Sequence, residues 1–224
     1  MTSCHSFPPL ECKTLTPPKS HDTTASALTW ALWLLSTHPE IQTRLRAECT
    51  THLSRKATPS IDASDFDTET MPYLTAVCNE TLRLYPTVPI TVRVSVKSTK
   101  IGAQFIPSNT TAVISQWAIN HDHDLWGADA EEFRPTRWLE GEYAANGGAK
   151  SPYALLTFLH GPRSCIGRSF ALMEMRCLLA VLTKRFRFEM ADPEEKVEVG
   201  GFITIKPQNG MRLRLHDLED TQQQ

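Results

Sequence analysis

The chain has 224 residues, 41% hydrophobic and 21% charged, the balance of an ordinary globular protein able to bury a sizeable core as one large domain or two small ones. A formal net charge of −2 argues against a nucleic-acid partner, because there is no basic surplus to neutralise phosphates. The six cysteines (4, 12, 49, 78, 165 and 177) lack C-x-x-C spacing, which argues against a zinc ribbon or a disulfide framework and points to a reducing compartment.

In chain order, residues 1–20 carry Pro8-Pro9 and Pro17-Pro18 with little apolar periodicity, so they read as an irregular proline-rich leader rather than a signal peptide or anchor. The longest apolar stretch, 28–35, is too short to span a bilayer, so the chain as written is expected to be soluble. Asp22-Thr23-Thr24 opens a predicted helix to about residue 37, with Ala25, Leu28, Ala31, Leu32 and Leu35 as its stripe and Asp22 as an N-cap or first-turn acid. Pro39 starts a second helix carrying Ile41, Leu45, Ala47 and Leu53, and the polar, acid-rich run 55–70 reads as a surface loop. A third helix over 72–85 aligns Leu74, Val77, Cys78 and Tyr85, with Glu80 and Arg83 off that stripe at i, i+3. Read locally, that pair is an exposed ion pair contributing about 0.2–0.5 kcal/mol; Glu131 and Arg134 repeat the same spacing.

Residues 90–96 alternate, predicting a half-buried strand with Val92, Val94 and Val96 on one face and Arg93 on the other. Two further strands are predicted over 100–106 and 110–117, turned at Pro107-Ser108-Asn109, making a small antiparallel sheet. His121 and His123 lack third and fourth ligands at sensible spacing and read as turn residues rather than a metal site. After Phe133-Arg134-Pro135-Thr136-Arg137-Trp138, residues 140–152 with their three glycines read as a flexible surface insertion.

The stretch Phe158-Leu159-His160-Gly161-Pro162-Arg163-Ser164-Cys165-Ile166-Gly167 then places a cysteine just before a predicted helix, 168–182, where the backbone field favours a thiolate. Gly161 and Gly167 permit positive φ and the close approach of a flat partner, and Arg163 supplies a neighbouring cation. The bland alternative is a buried free cysteine in a glycine loop. Residues 184–188 lead from helix into strand, 197–206 and 211–215 predict a closing hairpin, and 217–224 reads as a disordered tail.

Taken in order, D-T-T, E-x-x-R, F-x-P-x-R-W and F-x-x-G-x-R-x-C-x-G resemble the motifs of the cytochrome P-450 superfamily over residues 21–216, with Leu159 a mild departure and Lys19-Ser20 standing where that family has an A-G pair. The resemblance is closest to a microsomal-type, fungal member. It implies a mainly α fold with small antiparallel β-sheets, here the carboxy-terminal part, truncated on the N-terminal side. It also implies heme b, with Cys165 as axial thiolate to the iron, Arg93 and Arg163 on the haem propionates, and Phe158, Gly161 and Gly167 shaping the loop. Asp22 and Thr23 would relay protons, and Glu80, Arg83 and Arg137 would form a structural charge triad. The implied activity is a monooxygenase that inserts one oxygen atom from O2 into a small hydrophobic organic substrate, in secondary metabolite biosynthesis, with electrons from an NADPH-dependent reductase. The implied setting is intracellular, at the endoplasmic reticulum membrane if a longer form carries the family's anchor. Members of that family are much longer than this chain. Two alternatives therefore stay open: a non-catalytic haem-binding fragment, and a haem-thiolate isomerase or dehydratase, against which the Asp22-Thr23 pair speaks.

Overall fold

The computed structural model describes residues 21–54, 62–201 and 203–218; the proline-rich leader lies outside them. Helix α1 (His21–Thr37) and helix α2 (Pro39–Ser54) are separated by a single residue. Pro39 has no N–H to continue α1 but a φ suited to a first helical turn, and His38 Nδ1 bonds the Leu34 carbonyl at 2.8 Å at the end of α1. The buried row of α1 is Ala27, Trp30, Ala31, Leu34 and Leu35, rotated from the predicted stripe, and Ala25 is exposed. Apolar residues ring much of this helix, so periodicity alone left its inward side undecided. Long-range polar contacts decide it: the Ser26 hydroxyl and the Trp30 indole, at 3.3 Å, both donate to the Ile205 carbonyl. On α2 the buried row is Gln42, Leu45 and Cys49, with Ile41 and Leu53 at its flanks and Ala47 exposed.

Part of the expected loop 55–70 is built into the fold. Asp62 caps a 3-10 turn, Ala63–Phe66, in a reciprocal pair with Asp65, and Phe66 is driven into the core at 1% exposure. Helix α3 (Pro72–Leu84) is buried on nearly all sides among α1, α2 and the last long helix. Its first amides are satisfied from outside: the Glu48 carboxylate accepts from the N–H of Tyr73 (2.9 Å) and Leu74 (2.7 Å).

Strand β1 (Ile90–Val94) pairs antiparallel with β4 (Thr111–Ser115), and β2 (Thr99–Ile101) pairs with β3 (Gln104–Ile106). The predicted single strand over 100–106 is thus a hairpin, folded back at Gly102, whose φ of 58° suits glycine. Nor is β1 half-buried, since Val92 and Val94 are each about half exposed, 49% and 54%. Alternation tells which residues share a face; a second layer is needed to bury it. The strand predicted to reach 117 stops at Ser115, whose hydroxyl caps α4 (Gln116–Asn120) by accepting from Ala118 N–H at 3.1 Å. A short helix α5 (His123–Trp126) follows, with Asp122 as its cap.

A 3-10 turn, Pro135–Trp138, lies against α3. The run 140–152 is packed rather than a loose insertion: it holds a second 3-10 turn, Ala144–Asn146, Ala149 is buried beside Trp126 and Ala154, and a Cβ on Gly147 would meet the Trp138 ring at 2.7 Å. Helix α6 (Arg168–Arg185) runs into β5 (Phe186–Met190). Strand β5 pairs with β8 (Leu213–Asp217), while β6 (Val199–Gly200) pairs with β7 (Lys206–Pro207), so 211–215 does not close a hairpin with 197–206. Residues 217 and 218 of the predicted tail belong to the fold, Leu218 N–H donating to the Arg185 carbonyl at 3.0 Å, and the rest of that tail lies outside the described residues. The architecture is helical, with small antiparallel ladders around a core built from α1, α2, α3 and α6. No helix of the described residues is long and apolar enough to cross a membrane.

Gln42 is the polar rivet of this core. At 2% exposure its Nε2 donates to the carbonyls of Leu35 (2.8 Å) and Phe188 (3.0 Å), and its Oε1 accepts from Phe188 N–H (2.9 Å). Gln42→Leu keeps the size and strands these backbone groups, so we predict a loss of about 2–3 kcal/mol of unfolding free energy by urea denaturation. An unchanged midpoint would show that the amide contributes nothing.

Candidate functional site: the cysteine loop and its charged support

The loop 158–167 closes on itself. Cys165 N–H donates to the Phe158 carbonyl at 2.8 Å, Ser164 N–H to Gly161 O at 3.0 Å, and Leu159 N–H to Leu156 O at 2.9 Å. Gly161 sits at φ 73° with nothing near the place of a Cβ, so glycine is needed there for backbone conformation and not for space. Leu159 is also left-handed, at φ 57°. Gly167 differs from expectation: its φ is −89°, open to any residue. What its lack of a side chain does is keep one side of the thiol clear, because a Cβ there would stand 4.0 Å from Cys165 Sγ. Cys165 is exposed rather than buried, and its neighbours Ile166 and Phe170 are exposed too. No backbone carbonyl among the described residues accepts from the N–H of Ile166 or Gly167, which leaves both amides free for an anion. Arg163 is exposed on the same loop, and the Arg168 guanidinium lies 5.8 Å from the Phe158 ring centre.

Beside this loop a small cleft, with a free volume of about 30 Å³, is lined by Thr23, Thr24 and Ala27 of α1, Leu82, Thr87, Phe158, and Ala171 and Met175 of α6. Thr23 and Phe158 are therefore brought together. Asp22 is exposed outside the cleft, its carboxylate accepting from the Thr204 hydroxyl at 2.7 Å. Arg93 is exposed on β1 and donates to Thr91 Oγ1 (3.0 Å) and Val92 O (2.9 Å) of its own strand. Of the lining residues, Thr24 was read only as part of D-T-T and Ala27 was missed; the spacing of Ala27, three and four residues on from the two threonines, was the available signal.

Behind the loop lies the charged support. Glu80, fully buried, takes both Nε (3.0 Å) and Nη2 (2.9 Å) of Arg83 and Nε of Arg137 (2.8 Å). It also accepts from Arg134 N–H (3.1 Å) and the Trp138 indole (2.8 Å). The local reading of E-x-x-R as an exposed pair is overturned by this burial. Arg83 is saturated further by the carbonyls of Asn120 (2.8 Å), Ala130 (2.6 Å) and Glu132 (3.1 Å). Trp138 had no assigned role; its signal was its place directly after Arg137. His121 stacks on Trp117 and bonds its carbonyl, and no cluster of three or more metal-type side chains occurs among the described residues.

With this geometry in view, the comparisons with known proteins are specific. A sequence model described as cytochrome P450 matches residues 19–213, so the chain belongs to the cytochrome P450 family. Among similar proteins are cytochrome P450 monooxygenase sphH of Aspergillus fumigatus, 46% identical over 89% of this chain and 37% of the relative; cytochrome P450 monooxygenase ALT8 of Alternaria alternata, 36% identical over 89% and 39%; and cytochrome P450 4V2 of Mus musculus, 34% identical over 88% and 36%. The chain thus spans well under half the length of these relatives. The family's cofactor is haem. An exposed Cys165 thiol, on a loop whose Phe158 also lines an apolar cleft, is a donor that fits such a group.

Two predictions follow from this arrangement. Glu80→Gln leaves Arg83 buried with no carboxylate and Arg137 with Asp129 alone, at 3.0 Å, and is expected to lower the unfolding free energy by about 3–5 kcal/mol; a change within error would show that the remaining partners alone hold both arginines. Burial pushes the Cys49 thiol, helped by nearby Glu48, and the Cys78 thiol up to about 12. At pH 8 both therefore stay protonated and inaccessible, and peptide-resolved iodoacetamide labelling of the native chain should modify Cys165 well ahead of either. Equal rates would contradict the burial described.

Proposed function

We propose that this chain carries the haem-binding part of a monooxygenase that inserts one atom of O2 into a small hydrophobic organic substrate. The carrying observation is an exposed Cys165 thiol on a loop locked by its own backbone and standing beside an apolar cleft. Held by Cys165, haem supplies oxygen activation, with thiolate donation favouring O–O cleavage. The remaining work falls to this chain's side chains. Arg163 and Arg93 would hold the propionates by charge-assisted bonds, Arg93 now being bonded to Thr91 and Val92. Thr23, in the cleft wall, and Asp22, whose carboxylate is held by Thr204 outside it, would relay protons, an acid and a hydroxyl in adjacent positions. Phe158 and Gly161 shape the loop, Gly167 keeps the thiol accessible, and the Glu80, Arg83 and Arg137 cluster holds the frame behind it.

Electrons would come from an NADPH-dependent reductase, and the motif resemblance supports a role in secondary metabolite biosynthesis inside the cell, at the endoplasmic reticulum membrane if a longer form carries the family's anchor. The test is the absorption spectrum of the reduced, carbon-monoxide-bound protein reconstituted with haem, beside Cys165→Ser. We expect the red-shifted Soret band of thiolate ligation, absent from the variant. Identical spectra in the two proteins would remove Cys165 as the ligand.

A further inference from the structure

Asn120 closes α4 and is fully buried, yet nothing in the chemistry above uses its side chain. Its contacts tie two distant parts of the chain together. Its Nδ2 donates to the Arg83 carbonyl (3.0 Å) and to Thr157 Oγ1 (2.9 Å), and its Oδ1 accepts from Leu156 N–H (3.2 Å). The Asn120 carbonyl itself accepts from Arg83 Nη1 at 2.8 Å. Thr157 completes the circuit, its hydroxyl donating to the Leu82 carbonyl at 2.8 Å. The next residue is Phe158, whose carbonyl holds Cys165 N–H.

We propose that Asn120 and Thr157 are positioning residues that fix the register of the cysteine loop against the buried Glu80-Arg83-Arg137 cluster, so that the direction of the Cys165 thiol is set from α3. The loop has degrees of freedom that its own bonds do not remove. The loop's internal hydrogen bonds determine its shape but not where that shape sits on the protein; the two residues before Phe158 are the ones anchored by polar bonds to α3 and α4. Every polar atom of the Asn120 amide is used, and an amide is the side chain that offers donor and acceptor together in one plane. A buried network satisfied to this degree has one low-energy arrangement, because sliding the segment would strand several buried groups at once.

The role of the thiol as ligand rests on the proposed function, but the anchoring does not, and the test separates them. Hydrogen exchange of the haem-free chain is compared for the wild type, Thr157→Val, which keeps shape and loses the hydroxyl, Thr157→Ser, which keeps the hydroxyl, and Asn120→Asp, which loses the Nδ2 donor. We expect exchange at the Leu159, Ser164 and Cys165 amides to rise about fivefold in the Val and Asp variants, the size of one buried hydrogen bond. Peptides of α2 should be unchanged and the Ser variant should match the wild type. An unchanged loop, or a rise spread evenly over α1, α2 and α6, would overturn the proposal by showing no coupling or a merely global one. In the haem-loaded protein the red-shifted share of the carbon-monoxide band should fall in Thr157→Val and recover in Thr157→Ser. A wild type lacking that band would reject Cys165 as ligand and leave the exchange result to decide the anchoring.

Discussion

A carboxylate with no exposure to solvent must be matched by donors inside the protein, and the described structure is arranged around one such group, Glu80. Five donors converge on its two oxygens, from Arg83, Arg137, the Arg134 amide and the Trp138 indole. They come from α3 and from the 3-10 turn at 135–138, segments some fifty residues apart in sequence that have little apolar reason to meet in this one register. The arginines then reach onward to the carbonyls of Asn120, Asp129, Ala130 and Glu132, so the irregular stretch between β4 and the cysteine loop is pinned by charge-assisted bonds rather than by regular secondary structure.

That arrangement explains how an exposed thiol can be held by a structured loop. Cys165 is itself exposed, so its support has to come from behind. The order of support runs from Glu80 to Arg83, through Asn120 and Thr157 to Phe158, and across one backbone hydrogen bond to Cys165. On the other side α6 starts at Arg168, directly after Gly167, and is buried through Met175, Leu179, Ala180 and Thr183 against the helical core. The loop is gripped at both ends and open in the middle.

The motifs of the candidate site were legible because they depend on short-range order. The cysteine between two glycines, the arginine two residues before it, and the acid and hydroxyl at the start of α1 are readable at fixed spacing. Burial was not. Glu80 and Arg83 lie off the apolar stripe of α3, and it takes Arg137, Trp138, the Arg134 amide and three distant backbone carbonyls to make a fully buried position tolerable for them. Gly167 was read as offering both positive φ and room for a flat partner; its φ of −89° removes the first of these and leaves the space beside sulfur. Asn120 gave no signal, since a single asparagine after an apolar run is most simply a helix end.

Helix starts at Pro39, Pro72 and Arg168, and membership of the cytochrome P450 family, were determined by sequence alone, because capping, proline geometry and motif spacing act between near neighbours. Tertiary structure decided which side of α1 faces inward, that residues 100–106 fold back as a hairpin, that β8 chooses β5 as its partner, and that the cysteine is exposed while its supporting charges are buried. Strand partnership and burial are settled by contacts between residues far apart in the chain, such as Ile205 with Trp30 or Arg137 with Glu80, and periodicity carries no information about those distances.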